Sequence, residues 1–324
     1  MSGPTSTSRL PGIGRVALWQ HRRMLWAAAT AVVLAAVATG GLRGWNAASG
    51  TDPSGHPLGK AHGLLRLCTE YGGTLLTVLP LAVGAFVAGP MIARELESGT
   101  YKVAWTQSVS PAQWLTSKLA LPLVGAVLAT SALVGVFRLG RAPFTESASE
   151  SASTLTWYVR GVYEAMGPAV VGYTVLSIVL GALTGLLVRR TALAMGAAFL
   201  ATGTVMLTLS SVRAHLWPAV TRLGPADLRE YLTSEPGSMH VGGGWQTASG
   251  ERLDAEACLR AATEAGNGQT FQGCMTGRGA TQRYLDFHPE SHFWPLQAVE
   301  TGILLALAAG ATWLAFRVLR KLHG

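Results

Sequence analysis

"AMGPAVVGYTVLSIVLGALTGLLVRRTALAMGAAFLATGTVMLTLSSV", residues 165–212, decides the fold. It holds two apolar runs, 165–188 and 191–212, parted only by Arg189 and Arg190. Crossing a bilayer takes roughly 20 apolar residues, so each run is long enough to be a span. Two residues between them leave room only for a tight turn, and a helical hairpin is predicted. Working outward, four more runs read the same way: 24–42, 72–93 and 119–137 carry no charge, and 293–316 carries one, Glu300. Glycine and proline inside these runs do not veto helices, since both are frequent in membrane helices. The predicted fold class is an all-α membrane protein with six transmembrane helices.

Composition agrees. Of 324 residues 49% are hydrophobic and 13% charged, against about 25% charged in soluble domains, which points to lipid as the solvent. The net charge of +8 invites a nucleic-acid reading, but the basic residues flank apolar runs instead of forming one patch or stripe. No nucleic-acid partner is expected. Arginine outnumbers lysine 21 to 4, and with the alanine and glycine richness this suggests a GC-rich bacterial genome.

Lysine and arginine in short loops set orientation. With the N-terminus in the cytoplasm, the inside segments (1–23, 94–118, 189–190 and 317–324) hold 12 Lys/Arg in 58 residues, and the outside segments hold 13 in 136. The basic density inside is about twice that outside, so both termini are expected to be cytoplasmic. The first run follows a basic stretch, as in a signal peptide, and "AVATGG" offers small residues for cleavage, yet it is longer than the usual 7–15-residue core. An uncleaved first span is the better reading. The expected organisation is then a cytoplasmic segment 1–23, spans one to five over 24–212 with a cytoplasmic segment at 93–118, an extracellular loop domain 213–292, and span six with its tail over 293–324.

The polar insert between spans two and three, "ARELESGTYKVAWTQSVSPAQWLTSKL" (93–119), is the most informative stretch for function. Glu97, Ser98, Gly99 and Thr100 offer a helix break with hydroxyls, and Val103, Trp105, Val109 and Trp114 place large apolar groups beside Lys102 and Lys118. On physics alone it divides evenly between an interfacial anchor, since tryptophan and lysine suit the headgroup region, and a docking surface for a soluble partner.

This stretch resembles the segment after span two in permeases of the ABC type-2 exporter family, relatives of the ABCG-type exporters. There an Arg/Glu-rich run, a Glu-x-Gly-Thr step, a Thr-x-Ser-Val-Ser stretch and a Trp…Lys pair leading into span three form connecting and coupling helices that receive the force of the ATP-binding subunit. Arg94, Glu95, Glu97, Gly99, Thr100, Gln107, Ser108, Ser110, Trp114 and Lys118 match. "LLVRRTALAMGAA" and the C-terminal "HPESHFWPLQAVETGILLALAAGATWLAFRVLR" are similar to actinobacterial members. The resemblance implies that spans two and five line the central path, with Thr77, Met206 and Thr208 as lining residues, and that the largest external loop lies between spans five and six.

A phosphate-binding loop needs G-x-x-x-x-G-K-[ST]. The nearest match, "SGHPLGKAH", has Ser54 at the first glycine and Ala61 at the hydroxyl position, so ATP and Mg²⁺ are expected on a separate ATP-binding cassette subunit. No catalytic site is expected in this chain, which lacks H-E-x-x-H and G-x-S-x-G. His288 and His292 are spaced to meet on one helix face, but Pro289 intervenes and no third ligand is evident, so an entry cap for span six is preferred to a metal site. Gly181-x-x-x-Gly185 permits close helix approach, chiefly within one subunit. Glu300, expensive inside a span, divides evenly between a hydrogen bond to a neighbouring helix and a role in the transport path.

In the 80-residue segment 213–292, "GPADLREYL" and "GERLDAEACLRAATEAGNG" read as helices, the second ending at Gly266, and "VGGGWQ" as a flexible turn. A helical loop domain is expected. Cys258 and Cys274 fall on the side where disulfides persist; a bridge is preferred to two buried thiols, either within the chain or across a dimer, with Cys68 left unpaired.

The reading is the permease subunit of an ATP-driven exporter in a bacterial cell membrane. It would move a hydrophobic or amphipathic small molecule, lipid or peptide by alternating access, paired with a second copy or a sister permease. The alternatives are a membrane-anchored extracellular enzyme or sensor, and a non-transporting resistance or regulatory component.

Overall fold

The computed structural model describes residues 12–50, 60–101, 110–144, 155–224, 237–266 and 268–321. Six helices are long and apolar enough to cross a membrane: Arg22–Ala48, Lys60–Glu97, Pro111–Phe144, Ala169–Val188, Thr191–His215 and Glu290–Lys321. The protein is a multi-pass membrane protein, mostly helical. In hydrocarbon every backbone amide must be bonded within the segment, so apolar length alone dictates helix here. Spans one and six also carry a ruler of exposed tryptophans: Trp26 and Trp45 on one, Trp294 and Trp313 on the other. Each pair is 19 residues apart, about 28 Å of helix, close to the roughly 30 Å hydrocarbon thickness.

Two compact units divide the chain. The first comprises Met1–Leu155, Val159–Leu209 and Glu300–Gly324, and the second Thr156–Tyr158 and Ser210–Val299. Span four is the axis of the first. Its side chains at Ala169, Tyr173 and Leu176 join Leu209 of span five and Leu304 of span six in one cluster. Further along, Ile178, Ala182 and Leu186 join Ile92, Trp114, Leu115, Ala315 and Leu319 in another. A third cluster gathers Leu65, Leu76, Phe137, Phe144, Leu155 and Val162.

Span four starts at Ala169 and not at residue 165. Ala165 and Met166 end a separate short helix, Val162–Met166, because Pro168 cannot donate an amide and disfavours helix in the residue before it. At the other end the predicted hairpin is present: Arg189 adopts φ +53°, its amide reaching Gly185 O at 3.1 Å, and helix resumes at Thr191.

Span two is not one regular helix. After Lys60–Ala82 the backbone widens into a π-helical segment, Val83–Ala88, in which the Gly89 amide bonds Gly84 O, before α-helix resumes over Gly89–Glu97. Such insertions cluster at functional positions.

The second unit corrects the expected helical loop. Its frame is a four-stranded antiparallel sheet in the order β1-β4-β2-β3, with β1 Val220–Gly224, β2 Met239–Thr247, β3 Arg252–Leu253 and β4 Ala280–His288. "VGGGWQ", read as a turn, lies inside β2 and pairs with Arg283, Tyr284 and Leu285. Two of the three glycines make close approach: a Cβ on Gly244 would lie 2.9 Å from the Tyr284 hydroxyl and one on Gly243 3.2 Å from Tyr284 O. The predicted helix ending at Gly266 is present as Glu256–Ala265, capped by Gly266 at φ +66°; "GPADLREYL" lies outside the described residues after Gly224. Cys258 and Cys274 are bonded to each other within the chain, and Cys68 is free and exposed. Cys258, Met275, Trp245 and Ala280 form the unit's small core.

Candidate functional site

The insert between spans two and three is built from the end of one helix and the start of the next. Span two stops at Glu97, with Ser98 as its cap and Gly99 at φ +72°. The Ser98 and Thr100 hydroxyls lie 3.0 Å apart and both turn back on Glu95 O. Gln107 and Ser108 lie outside the described residues. Span three opens with a capping box: the Ser110 hydroxyl accepts from the Gln113 amide at 3.2 Å, and the Ser110 amide donates to Gln113 Oε1 at 3.1 Å. Pro111 occupies the first turn.

Two carboxylates at the end of span two then reach in different directions. Glu95 turns to span three, where Trp114 Nε1 donates to its Oε2 at 3.1 Å and Lys118 Nζ lies 2.5 Å from its Oε1. Trp114 and Lys118 are themselves buried. A lysine so placed depends on its carboxylate, because a desolvated charge is costly unless paired. Glu97 turns to span five: its Oε2 accepts from the Thr191 amide at 2.9 Å and from the Thr191 hydroxyl at 2.6 Å. Those are the first groups of the helix Thr191–Val212, so a carboxylate from another span caps its N-terminus, where amides lack partners and the helix dipole favours negative charge. Arg94, just before them in the chain, is exposed.

Sequence reasoning placed Glu95, Trp114 and Lys118 in one functional set, and they are in contact. It missed Thr191, which has no pattern tying it to a residue 94 positions earlier.

Behind this site, spans two and four are in backbone contact. A Cβ on Gly181 would sit 2.6 Å from Ala88 Cβ and 2.8 Å from Gly84 O, and one on Gly185 would sit 3.0 Å from Ile92 Cβ. The Gly181/Gly185 pair therefore serves packing within the chain. Spans two and five meet at the π segment, where a Cβ on Gly84 would lie 3.4 Å from Thr202 Oγ1, and one on Gly203 would lie 3.6 Å from Leu81 Cδ2. Thr202 is fully buried and its hydroxyl has no hydrogen-bond partner among the described residues, a state that carries a desolvation cost. No sequence signal sets Thr202 apart from Thr204 and Thr208 in the same run.

The residues expected along a substrate path have these surroundings. The Thr77 hydroxyl bonds back to Gly73 O at 3.0 Å, Met206 packs on the Tyr173–Leu304 cluster, and Thr208 is exposed. Glu300 is fully buried and accepts a 2.6 Å hydrogen bond from the Tyr173 hydroxyl of span four, the helix-to-helix bond that was one of its two readings.

His288 and His292 do come together, from a strand end and a 3₁₀ turn, with Nδ1 atoms 3.0 Å apart. His288 Nε2 lies 3.0 Å from Ala214 O. A carbonyl only accepts, so this nitrogen carries the proton. In the neutral ring Nδ1 then accepts from His292, and the pair holds itself by hydrogen bonds. Among the described residues no group of three or more His, Cys, Asp or Glu is placed to hold a metal ion.

Residues 24–213 match the family described as ABC-2 membrane transporter related, which is more than half of the chain and includes both carboxylate contacts. The chain belongs to that family. Within this ABC-2 transporter relative the match runs through the first five spans and stops at Arg213. No curated protein and no solved structure matches the chain.

Proposed function

We propose that the chain is the permease subunit of an ATP-driven exporter, with a separate ATP-binding cassette subunit docked on the segment 93–118. The observation that carries this is the pair of carboxylates at the end of span two, Glu95 held by Trp114 and Lys118 and Glu97 on the start of span five. A push on this one helix end is delivered to two other spans at once, which is what a coupling element requires. Family membership supports a transporter whose ATPase is a second polypeptide.

In the cycle ATP and Mg²⁺ bind the partner subunit, and its closure moves Arg94–Thr100 and the adjoining Gln107, Ser108, Trp114 and Lys118. The bundle then opens outward in alternating access. The termini and this segment face the cytoplasm of a bacterium, and the disulfide-bonded sheet unit faces outside. A second copy or a sister permease completes the pathway for a hydrophobic or amphipathic substrate.

Gly99→Val tests the coupling role. The φ of +72° is strained for a β-branched residue, yet open space surrounds the position, so insertion should proceed while substrate-stimulated ATPase activity of the reconstituted complex is lost. Normal stimulation in the variant would return the segment to an interfacial anchor. Failure of the chain to co-purify with any ATP-binding subunit would favour the anchored enzyme or sensor.

A further inference from the structure

A cavity of about 130 Å³ lies among spans one to four, lined almost wholly by apolar residues. Its polar lining residues are Thr130 and Thr174, and the Thr174 hydroxyl already donates to Val170 O at 2.8 Å. A buried water needs roughly 2–4 polar partners, more than this lining holds out to it. Among the described residues no charged side chain lines the space. Its chemistry suits an apolar guest.

The volume sets the size of that guest. It falls well below the roughly 300–1,000 Å³ of sites for drug-sized ligands. It lies close to the roughly 150 Å³ of an apolar cavity that stays dry and takes up benzene or xenon. Left empty, the walls forfeit dispersion contacts that a fitting guest restores.

Two features separate the space from a void sealed in a core. Ala31 of span one both lines it and is exposed, which puts the rim of the cavity at the lipid-facing surface of the bundle. Val83 and Val87, on the opposite flank, belong to the π-helical turn of span two. The wide turn is thus part of the wall, and a guest would touch the irregular stretch that precedes Glu95 and Glu97.

We propose that this cavity is a binding site for one compact apolar molecule, the size of a single hydrocarbon ring, entering beside Ala31 and resting on Val83 and Val87. Because the wide turn places those valines, a bound guest favours that turn over regular helix, by as much as its affinity for the two arrangements differs. The assignment stands apart from the exporter reading, since it requires only the four spans.

Fluorobenzene and 1-fluoronaphthalene are the probes, titrated into the purified full chain in phosphatidylcholine nanodiscs and read by fluorine NMR against empty nanodiscs. The larger probe carries more apolar area and partitions more strongly into lipid, so partitioning and cavity binding rank the two in opposite order. We expect saturable binding of one fluorobenzene per chain and none of 1-fluoronaphthalene. Ala129→Leu, filling the space from span three, should weaken fluorobenzene about tenfold or more, and Ala28→Leu should do the same from span one. Should neither variant insert, the ranking of the two probes on the wild type decides alone. Non-saturable uptake of fluorobenzene would reduce the cavity to a packing void and overturn the proposal. Saturable binding of 1-fluoronaphthalene would overturn the assigned size, and undiminished fluorobenzene binding in a folded filled variant would overturn the assigned place.

Discussion

Spans one and four have nearly the same hydropathy, 1.9 and 2.1, yet span four is buried over most of its apolar stretch and span one over none of it. Their glycines differ in the same way. Gly172, Gly181 and Gly185 each face a neighbouring span within 3.3 Å of where a Cβ would stand, whereas Gly40, Gly41 and Gly44 face open space. In water an apolar side chain marks the core. In lipid the tails are as apolar as leucine, so apolarity marks only the membrane, and close contact is written in small residues instead.

The largest effect should come from Gly181→Leu. The nearest atoms are the Cβ of Ala88 and the backbone of Gly84 and Gly89, which cannot swing aside, so overpacking at the upper end of about 1–3 kcal/mol or beyond is expected. Thermal unfolding in detergent measures it, and a melting temperature within a degree or two of wild type would dissolve the contrast between the spans. Gly185→Ala should cost less, about 1–2 kcal/mol by the same assay, since its would-be contacts begin at 3.0 Å. Smaller still is Glu300→Gln. The amide keeps an oxygen for the Tyr173 hydroxyl, and a cost of about 1 kcal/mol is expected. Flux lost at normal protein level would show that the charge itself serves transport. Gly41→Leu should do nothing measurable, within about 0.5 kcal/mol as for an unencumbered surface position; a clear destabilisation would mean that span one is covered by another chain.

The same distinction governs what could be read in advance. All six spans were legible, because the bilayer asks only for length and apolarity. The two-residue hairpin at Arg189 and Arg190 was legible for the same reason. The sheet was not: its β2 carries Gly242, Gly243 and Gly244 in succession, a composition that signals a turn unless the facing Tyr284 is known. At the candidate site, Glu95 and Lys118 could be named from the motif that they share, but the destination of Glu97 could not, because tertiary folding and no local periodicity brings Thr191 to it. The π segment was equally silent, its residues being as apolar as any α-helical run.

That segment has a geometric consequence further along the helix. Each residue of an α-helix turns the chain by about 100°, so one extra residue in a wide turn rotates everything after it by that amount. Were Val83–Ala88 ordinary α-helix at the same chain length, Glu95 and Glu97 would stand roughly a quarter-turn away about the axis. Both would then point past Lys118 and Thr191. Deleting Phe86, whose ring is exposed, should remove the wide turn and leave the two carboxylates facing as they do. The angular setting of the two carboxylates is thus fixed about ten residues upstream, by how many residues the chain spends on a single turn.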